Sequence, residues 1–512
     1  MSEKIWRENF SMTRGNVDLK VLWYLPGSVI EYAHQTGVGK NLQDGFIHFA
    51  AGGAVCYFPV DQIEAYVDEL VEKVVRDRLW VKEIHDKCRA YNAEYFASAR
   101  EVEHLDLLNL SNTELAAIGR RLSQMQEKSH MIAVSTTWLV DSNGETFSKM
   151  VMAKLRRALP EESGLEPMYT YSILSTPTAT NFTLDEERDF ISLAKHLAAD
   201  PVTRAFFTAG RDLTADFALL SIDAQEAIKA HADKWCWVPY TYVGPAYALG
   251  HYLEELRQLF SAATSLDELE ADALSRLKTI AEKQTEILSK FYLPDEVKYL
   301  LDITREIIWL KDYRKYCMYY GCYVLDRVHR ESARRLALSL SQVNHLTADE
   351  LAQALSGGPC DGDLLNERKK LCVLSYTAGR QEILTGQAAA DFLAAKKIEQ
   401  PAAEPNADLR GTCACPGHVQ GTVKIINRPE EMDKMNLGDI LVAHTTFPSL
   451  LPAMKKAAAI VTEDGGVTCH AAIVAREFNI PCVVGIRKVT QLVRDGDIIE
   501  VDAIEGFIKR IA

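Results

Sequence analysis

The chain has 512 residues, 47% hydrophobic and 25% charged, which are ordinary proportions for a globular protein of two to four domains. Its 57 basic and 71 acidic side chains give a net charge of -14 with no Lys/Arg cluster to offset it, so no nucleic-acid partner is expected. No apolar run is long enough to span a membrane, and the opening MSEKIWRENFSM lacks the apolar core of a secretory signal, so no membrane partner is expected.

In chain order, residues 1–60 read as a mixed α/β segment. VDLKVLWYL and AVCYFPV have the β-branched and aromatic content of strands, and AAGGA reads as a turn. QTGVGKNLQDG, residues 35–45, lacks the spacing of a phosphate loop and reads as an ordinary turn. From VDQIEAYVDELVEKVV onward the apolar residues recur every three to four positions, which predicts long amphipathic helices over 61–395. Residues 396–410, with Pro401 and Pro405 among Ala, Glu, Asn and Asp, read as a linker that reaches about 45 Å when extended. Residues 411–512 then alternate short strands (GTVKII, DILVAH, AAIVTE, CVVGI, IIEVDA) with helical pieces, which predicts a C-terminal α/β domain. The fold class expected is therefore multidomain, mostly α-helical and then α/β.

The eleven cysteines are odd in number and scattered, as in a reducing cytoplasm, and cytoplasmic localisation is expected. Cys413 and Cys415 lack a second ligand pair and read as strand packing, so no metal site is expected.

EDGGVTCHAAIVAREFNIPCVVG, residues 463–485, presents one imidazole in a distinctive setting. Gly465 and Gly466 permit a sharp turn after a strand, Thr468 is a candidate cap, and His470 falls in the first turn of a short helix. The helix start disfavours imidazolium and offers backbone N–H groups to an anion, which suits a histidine that is phosphorylated and dephosphorylated. The plain alternative is a structural histidine in an ordinary strand-to-helix loop. A Cys469–His470 dyad is disfavoured, because helix neighbours do not face each other.

GGVTCHAAIVAR resembles the phosphohistidine signature of the phosphoenolpyruvate (PEP)-utilising enzymes, among them PEP synthase, pyruvate phosphate dikinase and rifampin phosphotransferase. CPGHVQGTVKII, GDILVAHTTFPSLLPAMKKAAAIVTEDGG, FNIPCVVGI and DGDIIEVDAIEGFIKRI follow that family's swivelling domain in order. The resemblance implies that His470 carries phosphate, supported by Thr468, Gly465 and Gly466. It also implies that 61–395 is a helical acceptor-binding domain, as in rifampin phosphotransferase.

No stretch resembles the family's ATP-grasp domain, and no barrel follows the swivelling domain. The resemblance to split enzymes such as phenylphosphate synthase therefore implies a separate ATP-grasp subunit as partner. Mg-ATP would enter through that subunit, and this chain would hold no permanent cofactor. The reaction implied turns ATP, acceptor and water into AMP, phosphate and a phosphorylated small molecule.

Two aromatic-rich stretches place Trp235, Trp237, Tyr242, Trp309 and Arg314 as candidates for a pocket suited to an aromatic alcohol or phenol. The alternative is that the aromatics fill helix interfaces. Arg305, Lys311 and Arg314 are candidates to neutralise a phosphoryl group, or form salt bridges with Glu306 and Asp312. His130, His231, His251 and His345 are helical histidines, none assignable as general base. The competing functional readings are a PEP-linked phosphotransferase with a separate barrel partner, and a non-catalytic phosphocarrier or regulatory module.

Overall fold

The longest element is a helix of 42 residues, Asp295–Leu336, about 63 Å from end to end. The computed structural model containing it describes residues 4–8, 17–50, 52–141, 146–160, 165, 167–261, 265–399, 409–446, 450–463, 465, 469–486 and 489–511. Asp295 and Glu296 lie in the helix's first turn and Arg334 and Arg335 in its last, each complementing the backbone dipole. Helices Trp80–Glu103 and Asn112–Met131 pack along it, the second opened by a capping box of Ser111 and Glu114. Ile307, Leu310, Cys317, Val324 and Val328 of the long helix are fully or almost fully buried in one core shared with these neighbours.

Six strands form a first sheet: β1 (Ile5–Glu8), β2 (Asp44–Ala50), β3 (Gly53–Pro59), β4 (Leu371–Thr377), β5 (Arg380–Thr385) and β6 (Lys397–Ile398), in the order β5-β4-β2-β3-β1-β6. The helical periodicity expected to run to 395 thus gives way at Leu371 to a hairpin that returns to the N-terminal strands. β4 pairs antiparallel with β2 along its length, Ile47 opposite Leu374. The hairpin bends at Ala378 and Gly379, both at positive φ. Lys397 and Ile398, at the head of the expected linker, pair with β1, while 400–408 lie outside the described residues.

AVCYFPV forms β3 as expected. VDLKVLWYL does not form a strand: Leu19–Leu22 is a helical turn whose four residues are all buried. A strand would send alternate side chains to opposite faces, whereas this segment is buried between the helices and the first sheet and is tied to both, Lys20 N–H donating to Asn344 O and Val17 N–H to Gly52 O, each at 2.9 Å.

The C-terminal domain holds a seven-stranded sheet of β7 (Thr412–Cys415), β8 (His418–Ile425), β9 (Ile440–Ala443), β10 (Ala459–Thr462), β11 (Cys482–Val484), β12 (Ile498–Asp502) and β13 (Phe507–Arg510), ordered β13-β12-β8-β9-β10-β11-β7. β8 to β11 are parallel in the centre, with antiparallel strands on both sides. Alternation sends Leu441, Ile460 and Cys482 into one core, beneath helices Leu451–Lys456 and His470–Glu477. Val442, Val461 and Val483 point into a second core with Ile499 and Val501. Both faces are covered, as the continuous β-branched runs require.

Candidate active site around His470

β9 and β10 run parallel and side by side, so the loops leaving their C-terminal ends converge. The loop after β10 delivers His470 as the first residue of helix His470–Glu477, with Cys469 at the N-cap position. Gly465 sits at φ +115°, and a Cβ there would meet Cys469 Cβ and Sγ at 2.7 and 2.6 Å, so glycine is required both by conformation and by space. Gly466 and Thr468, expected to support the phosphoryl group, lie outside the described residues.

The loop after β9 supplies Thr446, which is buried and hydrogen-bonded through Oγ1 to His470 Nδ1 at 2.9 Å. In the tautomer in which Nδ1 donates to that hydroxyl, Nε2 carries the ring's lone pair and is the nucleophilic nitrogen. Nearby, His444 Nδ1 is 2.7 Å from Glu463 Oε2, while Glu463 Oε1 accepts from the backbone N–H and the hydroxyl of Thr490 at 2.8 and 2.5 Å. This network joins the ends of β9 and β10 to the helix Val489–Leu492.

His470 is turned toward the long helix of the helical body. Its imidazolium is pushed down to about 3, first by burial and then by the charges of Lys315 and Lys311. Loss of solvent and two lysines from a distant part of the chain therefore act in the same direction as the helix start, keeping the ring neutral. Lys311 and Lys315 are four residues apart and share one helix face, with Asp312 beside them. Burial raises the Asp312 carboxyl to about 6, against the opposing pull of Lys315 and Lys311.

Around this point the C-terminal domain and helical body are in direct contact. Asn181 Nδ2 donates to Glu477 Oε1 at 2.6 Å, two helical turns beyond His470. Arg476 Nε donates to Ser172 Oγ at 3.0 Å and Ala414 O at 2.9 Å. Lys455 lies 3.4 Å from Glu187, which also pairs with Arg276 at 2.9 Å. The Arg276 guanidinium sits 4.6 Å above the Phe478 ring.

The expected acceptor-pocket residues are spread through the helical body. Trp237 is buried edge-on to Tyr316 and Tyr320, and Tyr242 edge-on to Tyr319. Arg314 is buried and donates to His130 O at 2.7 Å. Trp235 lines a cavity of about 500 Å³ with Asp185, Asp189, Lys234 and Glu270. Trp309 donates to Thr180 O at 3.1 Å, next to the Asn181 that reaches the C-terminal domain. The helical histidines have other surroundings: His130 is bonded to Tyr24 at 2.8 Å, His231 lies 3.5 Å from Glu186, His251 is stacked on Tyr247, and His345 is bonded to Ser341 O.

Residues 435–506 match the family described as PEP-utilising enzyme, mobile domain. This chain carries a PEP-utilising mobile domain. Over 100 residues it is 47% identical to a probable phosphoenolpyruvate synthase of Methanothermobacter thermautotrophicus, covering 20% of this chain and 15% of that protein. A probable phosphoenolpyruvate synthase of Archaeoglobus fulgidus is 38% identical over 179 residues, 35% of this chain and 23% of the relative. The rifampicin phosphotransferase of Streptomyces sviceus is 29% identical over 245 residues, 47% of this chain and 27% of the relative. That last alignment is longer than the mobile domain, so it takes in residues outside it. The chain spans only 15% to 27% of the length of these three relatives.

Thr446, Lys315, Asn181 and Glu477 were not singled out by sequence reasoning; Lys311 was named as a candidate to neutralise a phosphoryl group, and Asp312 only as a salt-bridge candidate. Thr446 follows a legible strand, in HTT. Lys315 and Asn181 carry no local signal, because their significance comes from a surface hundreds of residues away. Among the described residues, no group of three or more His, Cys, Asp or Glu is placed to hold a metal ion, and no helix is long and apolar enough to cross a membrane.

Proposed function

We propose that this chain is the phosphohistidine component of a phosphotransferase, taking a phosphoryl group onto His470 Nε2 and passing it to a small-molecule acceptor at the surface of the helical body. One observation carries this reading: a neutral imidazole, its Nδ1 engaged by Thr446, is docked against two lysines of another domain. Cations there disfavour imidazolium but favour a phosphoryl group on the same ring, and a water-poor site strengthens both effects.

In the transfer step the P–N bond to His470 breaks as a P–O bond forms to the acceptor hydroxyl. The hydroxyl proton goes to a nearby base, and the electron pair of the broken bond stays on Nε2. Lys311 and Lys315 offset the charge of the migrating group, which is the main demand of phosphoryl transfer. Asp312, three residues before Lys315 on the long helix and ionised at neutral pH, is the candidate base. The donor is ATP, bound by a separate ATP-grasp subunit that phosphorylates His470 when the mobile domain swings away. The alignment with rifampicin phosphotransferase, reaching beyond the mobile domain, supports a hydroxyl acceptor.

The test is labelling with β-³²P-ATP, with the purified chain alone and with lysate of its source cells, beside a His470→Ala variant. Acid-labile label that needs the lysate and vanishes in the variant supports the reading. Label on the chain alone would place the nucleotide site here. Labelling by PEP in place of ATP would favour a PEP-linked partner, and no label from either would favour a non-catalytic module.

A further inference from the structure

The contact between the mobile domain and the helical body contains two facing carboxyl groups. Glu477, from the histidine helix, and Asp312, from the long helix, are both about nine-tenths buried. The Asn181 side-chain amide donates to Glu477 Oε1 at 2.6 Å and lies near enough to Asp312 to favour its charged form slightly. Each carboxyl then has one oxygen, Glu477 Oε2 and Asp312 Oδ2, with no hydrogen-bond partner among the described residues. Two buried carboxylates side by side repel, and a proton on one of them removes a charge and supplies the missing donor.

We propose that Glu477 is a positioning residue that docks the mobile domain as a neutral acid, so that seating His470 against Lys311 and Lys315 takes up a proton. The charged groups around it support this assignment. Burial and then Asp312 and Glu187 push Glu477 up to about 8, against opposing pulls from Asn181 and Arg276. Asp312, closer to Lys315 and Lys311, is held lower, at about 6. At neutral pH the pair therefore carries one proton, on Glu477. Arg476, its neighbour on the same helix, is turned to Ser172 and Ala414 O, and Lys455 to Glu187.

The direction of the pH effect follows from comparing docked and undocked states. An undocked glutamate has its ordinary value of 4.5, so the docked state holds more protons on Glu477 as pH rises from there to about 8. His470 acts oppositely, losing a proton on docking below its ordinary 6.5. The two effects offset one another in the acid range. Between about 6.5 and 8 Glu477 dominates, and the docking equilibrium falls by up to about tenfold per pH unit.

Small-angle X-ray scattering of the whole chain between pH 6.5 and 8.5 reads docking directly, because release of the mobile domain raises the radius of gyration. The wild type is expected to expand across this range, while Glu477→Gln, which keeps the acceptor for Asn181 and adds a donor, stays compact throughout. Asp312→Asn, made on the other side of the contact, is expected to flatten the profile as well and serves if Glu477→Gln fails to fold. A wild-type profile that is flat, or that Glu477→Gln reproduces, overturns the proposal. Scattering reports docking whether or not His470 accepts phosphate, so failure here is distinguishable from failure of the labelling experiment.

Discussion

Thr446 Oγ1 lies 2.9 Å from His470 Nδ1, though the two residues are 24 positions apart. They meet because β9 and β10 are parallel neighbours whose C-terminal loops leave the same edge of the sheet. The hydroxyl fixes which ring nitrogen is engaged. Thr446→Val keeps the shape and removes the bond, and is expected to slow phosphorylation of His470 about tenfold, the worth of one hydrogen bond. Initial rates of acid-labile labelling check this, with Thr446→Ser restoring most of the rate. Labelling of the Val variant at the wild-type rate would falsify the role.

The lysines make a separate prediction. Burial, and after it their charge, holds the docked His470 near 3, so the ring is neutral at all physiological pH. Replacing Lys311 and Lys315 by Met removes a repulsion on the protonated ring, and its value should rise, while burial still keeps it below the ordinary 6.5. An NMR titration of the ring protons measures the change. Transfer from phosphohistidine to acceptor should slow about 100-fold in the double variant, by analogy with loss of a charge-stabilising donor. A ring that titrates as in wild type would mean the lysines do not face it.

Gly465 and Gly438 both have positive φ, +115° and +91°, but only Gly465 has a neighbour where a Cβ would be. Gly438→Ala is expected to cost about 1 kcal/mol, from backbone strain alone. Gly465→Ala adds overlap with Cys469 and should cost about 2–4 kcal/mol, or displace the loop and abolish labelling. Calorimetry of the two variants compares them; equal destabilisation with intact labelling would contradict the geometry.

In the helical body, Lys20 Nζ lies 2.9 Å from Asp326 Oδ1, with both side chains almost fully buried. This pair ties the N-terminal segment to the long helix. Asp326→Ala leaves a buried ammonium unpaired and is expected to destabilise the body by about 3–5 kcal/mol, whereas Lys20→Met with Asp326→Leu should recover most of that. Urea unfolding of the single and double variants measures both. A double variant no more stable than Asp326→Ala would mean the pair is not the source of the loss.

Much of the mobile domain was legible because its pattern is local. The runs ILVA, AIVT and CVV became β9, β10 and β11, with adjacent residues sent to opposite faces, as period-2 geometry requires. The helix beginning at His470 was legible from its flanking glycines and from Pro481. Leu371–Thr385 was missed because its short apolar runs sit at the end of a long helical pattern, and the partner strand β2 is over 300 residues earlier. VDLKVLWYL forms a helical turn for a related reason: its β-like composition yields to burial against parts of the helices and the sheet that lie far along the chain.

By itself the sequence determined the histidine, the turn before it and the family of its domain, since these depend on residues adjacent in the chain. Only the tertiary structure decided what the histidine faces. Thr446 from the loop after β9, Lys311, Asp312 and Lys315 from the long helix, and Asn181 from the start of helix Phe182–Ala198 meet at the site, and their effect on His470 and Glu477 arises from burial and short-range charge. Those forces depend on distance in space, which no stretch of sequence records.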